Sequence, residues 1–355
     1  MAVTQHDVAQ LVGVSQRTVS RCFIQPEAVH PGTLKQVLDM AGRIGYRPNG
    51  AARTIRSGRS ECVVLLRDAG TTNSHVPLAL LLGVHQRLQE HRLHLKLGEF
   101  PAGTVDSRGA FNQPMSDGLL VPCHHAMSDA AEAHVRGGAI PTVWINTMGT
   151  ADCVFPDDIQ AGREATEHLI GLGHRRIMFL DRPPGDGPFR RRYCNCRERF
   201  AGYEQAMTSA GLVPRLMRCG AGEAMEAAMT ICRHIQTAPE RPTAVVICRK
   251  QEAEAVVYAA HAFHGLVIPR DLSVVTFSDD RLGAFPRISA FVVPWHAMGL
   301  MAVDLLIHKI TDQSRSLMPR RLPMEWFAGT TAAPPPRGSS GIDVQQLLAR
   351  RVVLP

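Results

Sequence analysis

The sequence lacks any apolar run long enough to cross a membrane, and it opens without the basic segment and apolar core that mark a secretory signal. We therefore expect a soluble protein that stays in the cytoplasm and has no membrane partner. Asp157 and Asp158 are paired carboxylates of the kind used for acid–base chemistry. They are not accompanied by a glycine-rich phosphate loop, a nucleophile with its base or a set of metal ligands. The sequence thus does not indicate an enzyme, and it predicts no cofactor and no metal.

Cysteines in the pattern of a zinc site or of a disulfide framework are missing as well. The nine cysteines are odd in number, and most stand inside apolar runs such as "ECVVLL" and "AVVICRK". Cys194 and Cys196 form one close pair in "YCNCRER", but no second pair follows at the distance that a zinc site needs. We predict reduced, buried thiols.

Acidic residues are scarce in the first 60 positions, which hold eight Lys or Arg and three Asp or Glu. Since the formal net charge of the 355-residue chain is +7, most of its excess positive charge lies in this short segment. A basic module on a nearly neutral body is typical of a protein with a polyanionic partner. At this length, with 45% hydrophobic residues, the chain should divide into two or three domains.

The stretch "TQHDVAQLVGVSQRTVSRCF", residues 4–23, predicts two short helices separated by Gly13. Thr4 can cap the first helix with Asp7 at its third position, and Ser15 can cap the second. The side chains expected to be buried are Val8, Ala9, Leu11 and Val19.

A third helix is predicted from Pro31 to Ile44. Its apolar positions are Leu34, Val37, Leu38 and Ala41. Three short helices can bury one another in a helix-turn-helix arrangement, with the second helix presented to a DNA major groove. Gln16, Arg17 and Arg21 share one side of that helix, and their hydrogen-bonding ends suit base edges.

The segments "HDVAQLVGVSQRTVSR" and "VLDMAGRIGYRPNGAARTIRSGRS" resemble the DNA-binding headpiece and hinge of the LacI/GalR family of bacterial transcription regulators. Later segments, among them "DDIQAGREATEHLIGLGHRRIMFL" and "GLVIPRDLSVVTF", follow the family's order over nearly the whole chain. The resemblance implies a DNA-binding regulator, more often a repressor, that binds a pseudo-palindromic operator as a homodimer under the control of a small-molecule effector. The alternative is a ligand-binding α/β protein whose basic module docks to a protein.

The same resemblance assigns the DNA contacts. In the headpiece they are Thr4, Ser15, Gln16, Arg17, Thr18 and Arg21, and in the hinge they are Asn49, Ala52, Arg53, Ile55 and Arg56.

The hinge is predicted to form a short helix from Asn49 through Ser57. A helix of two turns is marginal by itself, so we expect it to fold only against DNA and a partner subunit. In the family an apolar hinge residue, usually leucine, is inserted between base pairs from the minor groove, and Ile55 occupies that position here. The alternative is a solvated basic linker.

Beyond Ser60, short apolar runs alternate with helical patterns, which predicts a parallel-sheet α/β body. The resemblance implies two Rossmann-like subdomains of the periplasmic-binding-protein type with a ligand cleft between them. The expected divisions are a headpiece at 1–48, a hinge at 49–60, a body at 61–330 and a tail at 331–355. The subdomains of the body are expected at 61–157 with 297–322, and at 158–292 with 325–328.

The residues expected to bind the effector depart from the family pattern. Family members that bind sugars use an arginine in an Arg-x-x-Gly motif, an Asn-Asp pair and a later aspartate. Arg199 is kept, but Lys250 and Gln251 stand at the Asn-Asp positions, and Ser278 followed by Asp279 stands at the last one. Fewer carboxylates and an added ammonium favour an anionic sugar acid or phosphorylated metabolite. The alternative is that Lys250 points to solvent and the ligand is held by other groups.

Overall fold

The structure, a computed structural model, describes residues 3–47, 59–68, 76–100, 116–123, 133, 135–138, 140–181, 194–218, 224–238, 240–280, 287–312 and 314–336. The chain divides into two compact units, Met1–Glu61 and Cys62–Pro355. Among the helices described, none is both long and apolar enough to span a membrane.

The first unit contains three α-helices, α1 (Gln5–Val12), α2 (Gln16–Ile24) and α3 (Pro31–Ile44), with a 3₁₀ turn at Pro26–Ala28. The predicted caps are confirmed, because Thr4 and Asp7 form a capping box and the Ser15 hydroxyl accepts from the amide of Thr18. The small core of this unit consists of Val8, Ala9, Val19, Cys22, Val37 and Ala41.

Two leucines predicted to be buried in this unit are exposed. Leu11 is 58% exposed and Leu38 is 43% exposed. At 100° per residue, Leu11 lies far round the helix from Ala9, and Leu38 lies at the edge of the stripe formed by Val37 and Ala41. The prediction was wrong at these two positions because such short helices bury only a narrow stripe each.

The second unit has twelve described strands. They are β1 (Cys62–Asp68), β2 (His94–Phe100), β3 (Gly118–Pro122), β4 (Thr142–Ile145), β5 (Cys153–Pro156), β6 (Ile177–Asp181), β7 (Leu216–Arg218), β8 (Ala244–Ile247), β9 (Ser273–Ser278), β10 (Ser289–Val292), β11 (Arg320–Leu322) and β12 (Glu325–Phe327). The helices of this unit include α4 (Leu78–Glu90), α5 (Asp158–Gly171), α6 (Cys194–Ser209), α7 (Ala224–Thr237), α8 (Lys250–His264) and α9 (Trp295–Thr311).

These strands form two six-stranded sheets. The first sheet has the order β11-β5-β4-β3-β1-β2, and the second has the order β12-β10-β9-β8-β6-β7. All neighbouring strands are parallel except β10 and β12. The predicted α/β body with two Rossmann-like subdomains is therefore confirmed.

Helices cover both sheets. We call the first sheet with α4 and α9 the first lobe, and the second sheet with α5, α6, α7 and α8 the second lobe. The helices pack in pairs, α4 on α9, α5 on α6 and α7 on α8. The chain passes between the lobes after β5, after β10 and again between β11 and β12. In open parallel sheets of this kind, ligands bind at the carboxyl ends of the strands.

Candidate DNA-binding surface and effector cleft

The start of α2 presents the long polar side chains predicted to read DNA. Gln16, Arg17 and Arg21 are all exposed. Gly13 ends α1 in the left-handed conformation, with φ of 76°, which a residue with a Cβ adopts only at a cost. Gln5 Nε2 then donates to the carbonyl oxygen of Gln16 at 3.0 Å, which fixes the start of α2 against α1. The first turn of α2 is thus held in place while its side chains stay accessible.

Two of the three hydroxyl residues predicted at this surface, Thr4 and Ser15, are helix N-caps, and the third, Thr18, contacts the Ser15 cap. Ser15 Oγ and Thr18 Oγ1 lie 2.9 Å apart. The Thr4 amide and the Thr4 hydroxyl both donate to Asp7 Oδ2 at 2.8 Å, and these two hydrogen bonds lower the pKa of Asp7. Thr4 and Ser15 are exposed and Thr18 is half-buried. The hinge residues Asn49, Ala52, Arg53, Ile55 and Arg56 lie outside the described residues.

In the second unit, Arg199 forms a buried ion pair with Asp158. Arg199 Nε lies 2.6 Å from Asp158 Oδ1, and the two side chains are 8% and 4% exposed. Arg199 Nη1 donates to the carbonyl oxygen of Cys248 at 2.7 Å. The guanidinium also lies over the ring of Phe277, 4.5 Å from its centroid. Arg199 on α6 therefore contacts α5 and the carboxyl ends of β8 and β9.

Two glycines allow α5 and α6 to approach closely enough for this ion pair. A Cβ at Gly162 of α5 would collide with the carbonyl oxygen of Arg199, and a Cβ at Gly202 would collide with that of Ile159. The sequence marks one of these glycines, since Gly202 is the second fixed residue of the Arg-x-x-Gly motif. We conclude that this motif sets a helix–helix distance as well as supplying the arginine.

The buried pair has a second carboxylate beside it. Burial raises the pKa of Asp158, and the charge of Arg199 opposes that rise. Glu198 is buried, and its Oε1 has no hydrogen-bond partner among the described residues. Burial raises the pKa of Glu198, and the negative charge of Asp158 raises it further. Glu198 is thus a carboxylate whose ionisation opposes folding.

We expect Glu198→Gln to raise the melting temperature at pH 8. The ordinary pKa of this side chain is 4.5, and its pKa in the folded chain is higher. The raised pKa of Glu198 therefore contributes stability to the fold that is fully present below the ordinary pKa. This stability is lost as the pH rises through the pKa of the folded chain, because the buried side chain then ionises. The gain from glutamine should shrink as the pH is lowered from 8 to 4.5 in a series of thermal melts. Glu204→Gln changes an exposed carboxylate of the same helix and serves as the control. A gain that does not vary with pH would contradict this account.

The other predicted effector residues lie near Arg199 at the ends of β8 and β9. Lys250 is the first residue of α8, and its Nζ lies 2.8 Å from Asp280 Oδ1. Gln251 is exposed. Ser278 is buried, and its Oγ donates to the carbonyl oxygen of Asp280 at 2.7 Å. Asp279 Oδ1 accepts from Trp295 Nε1 of α9 at 2.9 Å, which ties it to the first lobe.

Sequence reasoning missed an asparagine pair that joins the two lobes. Asn146 follows β4 in the first lobe, and Asn195 is the second residue of α6 in the second lobe. Asn195 Nδ2 donates to Asn146 Oδ1 at 3.2 Å. Asn146 also has a φ of 63°, a conformation that asparagine tolerates better than most residues. The only signal in the sequence was the position of Asn146 directly after the apolar run "TVWI".

The prediction that the cysteines are reduced was wrong for one pair. Cys196 of α6 and Cys248 after β8 form a disulfide with a Cα–Cα distance of 5.7 Å. They are 52 residues apart in sequence, so only the tertiary fold brings the first turn of α6 to the end of β8. Five other cysteines of the described residues are thiols, and four of these, Cys22, Cys62, Cys153 and Cys232, are buried as predicted.

Comparison with known proteins identifies both units. Residues 4–49 match the model for bacterial regulatory proteins of the lacI family, and residues 166–332 match that for a periplasmic binding protein-like domain. The chain belongs to the LacI family of bacterial regulatory proteins. Membership in the LacI family makes it a DNA-binding transcriptional regulator, and a protein-docking role for the basic module is not favoured.

Relatives in the LacI family match almost end to end. The chain is 27% identical over 322 residues to the ribose operon repressor of Escherichia coli (strain K12), with 87% of this chain and 93% of that protein covered. It is 26% identical over 339 residues to the catabolite control protein A of Priestia megaterium, with 91% and 98% covered. A crystal structure of the Lac repressor dimer bound to operator and an anti-inducer matches with a TM-score of 0.75 and 21% identity, covering 94% of this chain and 100% of that chain. These relatives are regulators, and none of these names describes an enzyme.

Proposed function

We propose that this LacI-family regulator is a cytoplasmic, non-catalytic repressor whose operator affinity is set by a small molecule bound between its two lobes. The observation that carries the proposal is Arg199, a buried cation held by Asp158 and by the Cys248 carbonyl where the strands of the second sheet end. The Asn146–Asn195 and Asp279–Trp295 contacts join the lobes at the same edge. A ligand there would change how the lobes close, and closure would move the attached headpieces.

We assign one role to each segment that the sequence predicts. Residues 1–48 read the operator, 49–60 form the hinge, 61–330 bind the effector and the second subunit, and 331–355 form a tail. In the hinge we propose contacts to the minor groove, with Ile55 inserted between base pairs. Two headpieces in a homodimer match a pseudo-palindromic operator. Leu78, Leu82 and Leu97, which are 68%, 53% and 69% exposed on α4 and β2, support dimerisation through the first lobe.

We expect Arg17→Ala to lower operator affinity by roughly 1–3 kcal/mol and to relax the preference for particular bases, because Arg17 is exposed at the start of α2. The operator is first selected from random DNA with the full chain, and binding is then measured on single-base variants. Arg59→Ala is the matched control and should weaken all sequences alike. If Arg17→Ala lost the same affinity for every single-base variant of the operator, Arg17 would not be a base-reading residue.

For the effector, we propose a neutral sugar or sugar-derived metabolite. The cations at this edge already have carboxylate partners, Asp158 for Arg199, Asp280 for Lys250 and Glu252 for Arg249. An anion would have to compete with these carboxylates, whereas an arginine beside carboxylates suits the paired donors and acceptors of a polyol. These ion pairs thus favour the second of the two ligand hypotheses, in which Lys250 does not hold the ligand. The relative named as a ribose operon repressor supports the same class.

Calorimetry tests this choice with D-ribose, D-glucose, D-gluconate and glucose 6-phosphate. We expect heat from a neutral sugar and none from the two anions. A triple variant, Lys250→Asn, Gln251→Asp and Ser278→Asp, restores the residues of the family pattern and should change the sugar profile. Binding of the anions alone would overturn the neutral-ligand proposal. A triple variant with an unchanged profile would show that these three positions do not select the ligand.

A further inference from the structure

The disulfide lies between the two elements that hold Arg199. Cys196 precedes Arg199 by three residues on α6 and so faces the same side of that helix. Cys248 follows β8, and its carbonyl oxygen accepts the hydrogen bond from Arg199 Nη1. The covalent bond and this hydrogen bond therefore fasten the same two segments together. A change in the covalent bond acts directly on the residue that carries the proposed effector site.

A carboxylate lies beside the two sulfur atoms. Asp181 ends β6, the neighbour of β8, and its carboxylate oxygen and the two Sγ atoms all lie within 4.8 Å of one another. Its Oδ1 is buried and has no hydrogen-bond partner among the described residues. Burial raises the pKa of Asp181, and the charge of Arg249 opposes that rise. If the disulfide is reduced, each new thiol is a donor next to an acceptor that lacks one.

The same three residues could also be taken for a metal site. Two cysteines and an aspartate are ligands that Zn²⁺ accepts, but it binds cysteine as the thiolate. Here the two sulfurs are bonded to each other, so neither is a thiolate. The observed state therefore points to thiol–disulfide chemistry rather than to a metal.

We propose that Cys196 and Cys248 form a thiol–disulfide modification site that couples the redox state of the cell to operator binding. A cellular dithiol supplies two electrons and two protons. Its thiolate attacks one sulfur, and the Cys196–Cys248 bond breaks to give a mixed disulfide. The second thiol of the dithiol then releases the protein, so that the dithiol leaves as a disulfide and both cysteines become thiols. The reaction is reversed by a disulfide of the same class. Since both cysteines are buried, exchange requires local opening of this edge.

Reduction is expected to loosen the edge that holds Arg199. Two unbonded sulfur atoms must separate to van der Waals distance, which moves α6 or the segment after β8. Arg199 then loses its fixed position relative to the Cys248 carbonyl. The effect on DNA rests on the proposed function, in which this edge belongs to the effector cleft and closure of the cleft positions the headpieces.

The chemistry of the site is tested on the full chain without ligand or DNA. Protein purified without reductant is denatured and alkylated before or after dithiothreitol, and its peptides are mapped. Cys196 and Cys248 should be alkylated only after reduction. Dithiothreitol should lower the melting temperature of the native wild type by about 5 °C, because the bond closes a loop of about 50 residues.

Two variants control this measurement. Cys196→Ala/Cys248→Ala should melt at the same temperature with and without dithiothreitol. Cys232→Ala removes another buried cysteine of the second lobe and should keep the full response; burial raises the pKa of the Cys232 thiol to about 12, so it does not compete in exchange. Alkylation of Cys196 and Cys248 without reductant would overturn the proposal. So would one equivalent of zinc bound to these two cysteines in the purified protein.

Coupling to DNA is tested with the operator selected from random DNA. We expect the Kd of the wild type to change by about 5-fold or more between the oxidised and reduced forms, and that of the double variant to be insensitive to dithiothreitol. A chain that binds no operator in either form would refute the proposed function and leave the mapped disulfide standing. Equal operator affinity in both forms, with the bond shown to be cleaved, would refute the regulatory role.

Discussion

Asp158→Ala is expected to lower the free energy of unfolding of the second unit by about 3–5 kcal/mol. The substitution removes the carboxylate partner of Arg199, whose side chain is 8% exposed, and leaves a buried charge whose one remaining acceptor among the described residues is the Cys248 carbonyl. Urea unfolding of the full chain, followed by a probe of the second unit, measures the loss. The pair joins α5 to α6, so its loss should weaken the lobe that carries the proposed effector site.

The control for this prediction is Asp280→Ala, which removes the nearer of two described carboxylate partners of Lys250 and leaves Glu254 at 3.9 Å. That ion pair is more exposed, at 26% and 52% for the two side chains, and it should contribute about 0–1 kcal/mol. A second variant, Asp158→Leu/Arg199→Met, replaces the buried pair with apolar side chains and should recover much of the stability lost in Asp158→Ala. Equal losses of unfolding free energy for Asp158→Ala and Asp280→Ala would show that burial does not strengthen the Asp158–Arg199 ion pair.

A chain that begins at Cys62 is expected to bind the selected operator at least about 1,000-fold more weakly than the full chain. The first unit carries the exposed Gln16, Arg17 and Arg21 and most of the excess positive charge. For the full chain, log K should fall with log salt with a slope on the order of −5 or steeper, because each phosphate contact contributes about −0.9. Fluorescence anisotropy between 50 and 300 mM salt measures both quantities.

The truncated chain must still fold for that comparison to count. Its sugar-binding heat and its melting temperature in calorimetry should match those of the second unit in the full chain, since that unit is compact by itself. Equal DNA binding by both chains, or a flat salt response of the full chain, would contradict the assignment of the headpiece.

Local patterns in the sequence were enough to predict the headpiece. The Thr4–Asp7 box, the Ser15 cap and Gly13 act within a few residues of one another, so their effect on α1 and α2 can be read along the chain. Six apolar strands of the body, β1, β3, β4, β6, β8 and β9, were likewise predicted from their apolar runs. Strands such as β2 and β11 were not, because "HLKLGEF" mixes exposed and half-buried positions and β11 has only three residues.

By itself the sequence determined the family, the helix-turn-helix headpiece, the α/β class of the body and the presence of Arg199. The tertiary structure alone decided what Arg199 contacts: Asp158 is 41 residues before it and Cys248 is 49 residues after it. It also decided that Cys196 is bonded to Cys248, that Lys250 lies against Asp280, and that Glu198 is buried. Caps, turns and apolar periodicity depend on neighbours a few residues away, whereas these contacts arise only when parallel strands distant in sequence end side by side at one edge of a sheet.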